Sequence, residues 1–318
     1  MKVRRTFLCA IVAMSAAAVA AADAARPNVA AAPVDAMAAN RPFLPAVAPK
    51  TPARAELKVL PGKNMAFVRA TLEGRECTLL FDTGATHTTF DIGFLKRELP
   101  DKKLGEVMLA GTTNVEGAPK IFAVRSLKIG EAEFASFYGM ALDISHLGAG
   151  IGAKVDGILG MNVIGRVPSL VSFGARKVVF APGKEDVAGF GEGIARMAGD
   201  PFSVAMEAAF GEKKFELIVD SASTFTFLGK STGWPSTGEP AGIGAVDVNG
   251  GASLATEKGK PGKIRLGTDL EIAPLIVGAP MNRIGADALL AYDMLVEKNQ
   301  VKFRRRDAAS EKADGRKE

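Results

Sequence analysis

Leu79-Leu80-Phe81-Asp82-Thr83-Gly84-Ala85-Thr86 is written a second time, with small changes, as Leu217-Ile218-Val219-Asp220-Ser221-Ala222-Ser223-Thr224. The two aspartates stand 138 positions apart. Each stretch reads as an apolar strand running into a turn of aspartate, hydroxyl residue and small residue. A carboxylate placed directly after three buried-type residues is costly unless it is satisfied or put to use. If the two halves of the chain fold alike and face each other, the turns meet and Asp82 and Asp220 share one site.

The surroundings of the two turns also repeat. Residues 66–72, a Glu73-Gly74 turn and 77–81 read as a hairpin, and 202–208, a Phe210-Gly211 turn and 215–219 repeat it. Leu127-Lys128-Ile129-Gly130 matches Ile264-Arg265-Leu266-Gly267. Asp156-Gly157-Ile158-Leu159-Gly160-Met161-Asn162 is matched with Asp287-Ala288-Leu289-Leu290-Ala291-Tyr292-Asp293. Each half then closes with a strand pair, 171–180 and 294–303. Correspondences in one order and at nearly constant spacing predict a duplicated β unit. The lobes are placed at 57–182 and 200–305, joined by a Gly-bearing connector at 183–199. The period-two patterning, with 35 Gly against 2 Tyr and 1 Trp, predicts an all-β protein. Short helices are predicted only at 92–99, 161–164 and 292–295.

Outside the lobes the chain changes character. Lys2, Arg4 and Arg5 precede an Ala-rich apolar run over 7–22 that ends in small residues, and 1–24 reads as a cleaved secretory leader. The run is weakly apolar for a spanning helix, which needs ~20 strongly apolar residues, so no stable membrane span is expected after cleavage. Residues 25–56 are rich in Ala and Pro and read as an extended linker, and 306–318 as a solvated tail. Cys9 lies in the leader, which leaves Cys77 alone in the mature chain and forbids an internal disulfide. Such a chain suits a secreted, periplasmic setting. Cys77 itself falls in an apolar strand pattern and reads as a small core residue. The net charge of +5 drops to about +2 once Lys2, Arg4 and Arg5 are set aside, and its even mixing excludes a nucleic-acid partner.

The apolar strand, the Asp82-Thr83-Gly84-Ala85 turn and the Ile158-Leu159-Gly160 turn about seventy-five residues later together resemble the aspartic peptidases. The likeness is nearest to their retropepsin-like branch as found in bacterial secreted proteins. It spans about 57–305 and is stronger in the first lobe. It implies an all-β fold of two pseudo-twofold-related acid-protease β-barrel lobes, with an interlobe cleft beneath a hairpin flap. Flap candidates are 111–120 and 246–259. It further implies that Asp82 and Asp220 are catalytic and hold one water between them, and that carboxylates so close share a proton. Any titration then belongs to the pair. The ionised member takes a proton from water, and the protonated member hydrogen-bonds the scissile carbonyl. Thr83 and Ser221 would fix the loops across the twofold axis. Gly84 would allow close backbone approach, with Ala222 standing at its place in the second loop. Ala222, Ala288 and Ala291 each add a methyl where the first lobe has glycine, which threatens the position of Asp220. The implied partner is a peptide or protein substrate, with no metal and no organic cofactor.

Three readings stay open at this point. The first is an aspartic endopeptidase with both aspartates in one chain. The second is a homodimer that pairs Asp82 of each chain. The third is a pseudo-peptidase that binds peptide or protein in its cleft. Competing chemistries have weaker support. His87 and His146 are the only histidines, and no Gly-x-Ser-x-Gly elbow accompanies them. His87 reads as a local structural residue. Asp156 and Asp287 read as turn caps rather than as a second acidic pair. No paired His or Cys spacing suggests a metal.

Overall fold

Glu73 and Gly74 both take positive φ, 46° and 86°. Such a turn matches the twist of the strands it joins. It connects Ala66–Leu72 to Arg75–Phe81 in antiparallel register, with Phe67 opposite Leu80 and Val68 opposite Leu79. The second half repeats the unit with Val204–Phe210 and Lys213–Val219, Gly211 serving the turn at φ 60°. This computed structural model describes residues 8–12, 49–106, 119–191, 195–197, 204–247, 250–253, 256–266, 270–273, 276–279, 282–297 and 300–306.

The fold is mostly β, with a few short helices. In the first half the outer edge of Ala66–Leu72 pairs with Ala53–Val59 over residues 66–68 and with Leu127–Ile129 over residues 70–72. Its apolar face packs Leu72, Leu79 and Phe81 with Phe90, Phe122 and Phe134, all buried. Edge-to-face rings, 5.6 Å apart for Phe90 and Phe122 and 5.1 Å for Phe134 and Phe180, fill this core. Ile92–Glu98 forms the first predicted helix, capped by Asp91, whose carboxylate accepts from Phe94 N at 2.8 Å.

Local patterning gives no hint of how the halves join. Ser169–Ser172 pairs antiparallel with Tyr292–Val296, each within its own hairpin to Lys177–Phe180 and Gln300–Arg305. Lys177–Phe180 continues to Ala53–Val59, and Gln300–Arg305 to Ala195–Met197. Six strands therefore run in one layer, a central pair with two further strands on each side. Buried Asp293 adds polar ties across this layer. It accepts from Ser172 Oγ and pairs with Arg304 and Arg306.

Tyr292–Val296 is thus a strand, where a short helix was predicted at 292–295. The short helix of the second half is instead Ala286–Leu289. Leu8–Val12, inside the expected leader, pairs in parallel with Ile243–Asp247. Among the described residues no helix is long and apolar enough to cross a membrane.

Candidate active site

Each Asp loop is the end of a hairpin strand that meets a short parallel strand from the far end of its own half. Arg75–Phe81 runs beside Gly157–Leu159, and Asp82 N donates to Leu159 O at 3.0 Å. Lys213–Val219 runs beside Arg283–Ile284, and Asp220 N donates to Ile284 O at 2.9 Å. The second supporting segment is therefore Arg283-Ile284-Gly285, which overturns its assignment to residues 287–293. Gly285 keeps the role of Gly160. A Cβ on Gly160 would lie 2.6 Å from the His87 carbonyl carbon, and one on Gly285 would lie 2.3 Å from that of Phe225. Glycine persists where the sequence reading saw Ala291 in its place, because the backbones touch there.

The struts beneath the loops match as well. Thr88 N and Oγ1 both donate to Asn162 Oδ1, and Thr88 Oγ1 accepts from Gly160 N at 3.1 Å. In the other half Thr226 N and Oγ1 donate to Asp287, and Thr226 Oγ1 accepts from Gly285 N at 3.1 Å. Asp287 is thus the counterpart of Asn162. Asp156 does a different job, accepting from Thr78 N at 2.9 Å and pairing with Lys154. Burial raises the Asp287 carboxyl above its ordinary range, against the opposing pull of the Thr226 and Ala288 donors.

Across the pseudo-twofold the loops clasp each other. Thr83 Oγ1 donates to Val219 O at 2.8 Å, and Ser221 Oγ donates to Phe81 O at 2.8 Å. Each hydroxyl also accepts from the opposite backbone, Thr83 N to Ser221 Oγ and Ser221 N to Thr83 Oγ1, both at 3.1 Å. All four groups are buried. Thr83→Val keeps the shape but strands the Val219 carbonyl and the Ser221 N–H, at ~1–3 kcal/mol for each unsatisfied group. Thermal unfolding of this variant should begin several degrees lower. An unchanged midpoint would show that the clasp carries no stability.

The clasp brings two fully buried carboxylates together. Asp82 Oδ1 accepts from Gly84 N at 2.7 Å and Ala85 N at 3.0 Å. Asp220 Oδ1 accepts from Ala222 N and Ser223 N, each at 3.0 Å. Ala222 therefore supports its loop in the same manner as Gly84, and its methyl joins the apolar cluster of Met65, Phe67, Leu80 and Ala85. The methyl does not deprive Asp220 of its donors, contrary to the displacement expected from sequence. Gly84 is more tightly placed. A Cβ there would lie 2.6 Å from Asp220 Cγ.

The outer oxygens differ. Asp82 Oδ2 is buried and makes no hydrogen bond within the protein. Asp220 Oδ2 is ion-paired to Arg283, a fully buried side chain that the sequence reading missed. Burial first, and then the Asp220 carboxylate, push Asp82 well above the ordinary carboxylate range. Arg283 and the Gly84 and Ala85 amides pull the other way.

A pH dependence of stability follows from the raised Asp82. Below pH ~3.9, the ordinary Asp value, folded and unfolded chains both hold this proton and its contribution is fully present. As pH rises the unfolded chain ionises first. The folding equilibrium constant then falls by up to ~10-fold per pH unit until folded Asp82 loses its proton. Denaturant unfolding of Asp82→Asn should lack this slope, so the variant gains on wild type as pH rises above the ordinary Asp value. Parallel slopes would contradict the assignment.

Other sequence candidates take supporting places. The His87 ring lies 2.9 Å from Thr86 Oγ1, and its backbone packs on Gly160. Cys77 is buried, which pushes its thiol up to about 12 and makes it unreactive. Of the flap candidates, 111–118 lies outside the described residues. The other belongs to a long hairpin in which Ser236–Pro240 pairs with Glu257–Gly259, and Ile243–Asp247 with Gly250–Ser253.

Residues 68–163 match the model of a protein family described as aspartyl protease. The span runs from the first hairpin through the Asp82 loop and its supporting strand, and the mostly β fold agrees with it. Over those residues the match supports an aspartic peptidase of the retropepsin-like type. That match supports aspartic peptidase activity in general. No curated protein matches the chain's sequence.

Proposed function

We propose that the chain is an aspartic endopeptidase in which Asp82 and Asp220 of one chain activate a single water. The observation that carries the reading is the reciprocal clasp of Thr83 and Ser221, which ties the two Asp loops to each other within one chain. It favours the one-chain dyad over a dimer that pairs two copies of Asp82. In this reading water lies between the carboxylates and gives a proton to the ionised member. The resulting hydroxide attacks the scissile carbonyl while the protonated member donates a hydrogen bond to its oxygen. The tetrahedral intermediate collapses as the leaving amine takes a proton, and no covalent enzyme adduct forms. The substrate is an extended peptide or a protein segment, with no metal and no organic cofactor. The N-terminal leader directs secretion, to the periplasm in this proposal.

The test is hydrolysis of an unfolded polypeptide by the purified full chain from about pH 3 to about pH 8, the range in which carboxylates and their raised forms titrate. Cleavage blocked by a peptide isostere with a tetrahedral carbinol supports the reading, since such analogues bind far tighter than substrates. Saturable peptide binding without cleavage at any pH supports a second reading, that of a peptide-binding pseudo-peptidase. Arg283 on Asp220 Oδ2 is the observation that favours this alternative.

A further inference from the structure

Arg283 occupies the position that Ile158 holds in the first half. Ile158 pairs with Leu80 beside the Asp82 strand, and Arg283 pairs with Ile218 beside the Asp220 strand. Ile158 packs into the apolar cluster with Met65, Phe67 and Leu80. Arg283 is instead fully buried with its guanidinium on the Asp220 carboxylate. The rest of the site keeps its pseudo-twofold pattern, in amide cradles, hydroxyl clasp, threonine struts and glycine contacts alike. The cation therefore breaks the symmetry at the one place where symmetry governs the sharing of a proton.

We propose that Arg283 is the positioning residue that assigns the two acid-base roles, holding Asp220 as the charged base and leaving the shared proton on Asp82 as the acid. This rests on the one-chain dyad described above. Among the described residues, the charged groups facing Asp220 are Asp82 on the opposite loop and Arg283 on the supporting strand. Asp287, on the short helix, is engaged by Thr226 and Ala288. The assignment leaves Asp220 able to act. An ionised carboxylate has about four lone-pair sites, and the bonds from Ala222, Ser223 and Arg283 use three of them. One remains for the water proton. Asp82 Oδ2, buried without a protein partner, is the oxygen left to carry the shared proton toward a substrate carbonyl.

The test follows the carboxyl 13C signals of Asp82 and Asp220 in the full chain, each assigned by its loss in the Asn variant, from about pH 3 to about pH 8. In wild type the Asp220 signal should stay at its ionised position while only the Asp82 signal moves. In Arg283→Met both signals should move together, as a symmetric pair does. Arg283→Lys, which keeps a cation, should restore the separation. Where cleavage is measured, Arg283→Met should move the whole pH profile upward by about one unit or more, because an adjacent cation favours the charged carboxylate. Both signals moving together in wild type would overturn the proposal, and this holds even if Arg283→Met does not fold. So would an Arg283→Met pattern identical to wild type. Separated signals in a chain that never cleaves would reject the peptidase reading and keep the proton assignment. Dyad-dependent cleavage with merged signals would do the reverse.

Discussion

Asp220→Asn is expected to lower peptide cleavage ~10²–10⁴-fold, and Asp82→Asn by a similar factor, the range that a positioned acid or base supplies. The expectation comes from the two cradles. Each carboxylate is fixed by two backbone amides of its own loop, and the loops are fixed to each other by Thr83 and Ser221. Asn at 220 keeps the size and the amide-accepting oxygen, but it cannot take the water proton and presents an NH₂ group where Arg283 needs a charge. Asn at 82 keeps a donor toward the substrate carbonyl but removes the exchangeable proton. Groups that act as a unit lose most of their effect with the first removal, so Asp82→Asn/Asp220→Asn should be no worse than either single variant. Near-wild-type cleavage by Asp220→Asn would move the site to a dimer of first lobes, and multiplying losses would show two independent contributions.

Gly84→Ala is expected to cost ~100-fold in kcat with little change in overall structure, the penalty typical of displacing a reacting group by ~1 Å. The new methyl would lie 2.6 Å from Asp220 Cγ and about as close to both of its oxygens, at 2.9 and 3.0 Å. Asp220 cannot retreat freely, because Arg283, Ala222 and Ser223 hold it from the other side. The two carboxylates would be forced apart, and the water proposed to lie between them would lose one partner. Steady-state kinetics checks this, with far-UV circular dichroism as the control for folding. A wild-type rate would show that Gly84 is a turn residue only. Ala222→Gly is not equivalent, because the Ala222 methyl lies in an apolar cluster and its loop already makes both amide bonds.

The parts of this molecule that were legible in the sequence are those where local pattern and local structure coincide. The two hairpins show themselves by alternation and by the Glu73-Gly74 and Phe210-Gly211 turns. The Asp82 loop shows itself because its strand, its Asp-Thr-Gly and its Ile158-Leu159-Gly160 support all follow ordinary strand and turn chemistry. The second support did not, for a physical reason. Arg283 breaks the apolar run that marks such a strand, since its charge is compensated by Asp220 through the fold and by nothing nearby in sequence. Asp287-Ala288-Leu289-Leu290 imitates the motif instead, with its apolar pair and acidic start. Tyr292–Val296 is buried along its whole length, and a short apolar run of that kind carries no period that separates strand from helix. Its partner Ser169–Ser172 is equally buried and far away in the chain, so the layer joining the halves is a tertiary fact with no local mark.

The most direct test of the one-chain site is calorimetric titration of the monomeric protein with a peptide isostere whose tetrahedral carbinol replaces the scissile carbonyl. Two aspartates closing on each other within a chain require one inhibitor bound per chain, with binding lost in both Asp82→Asn and Asp220→Asn. One inhibitor per two chains, or undiminished binding by Asp220→Asn, would contradict the account.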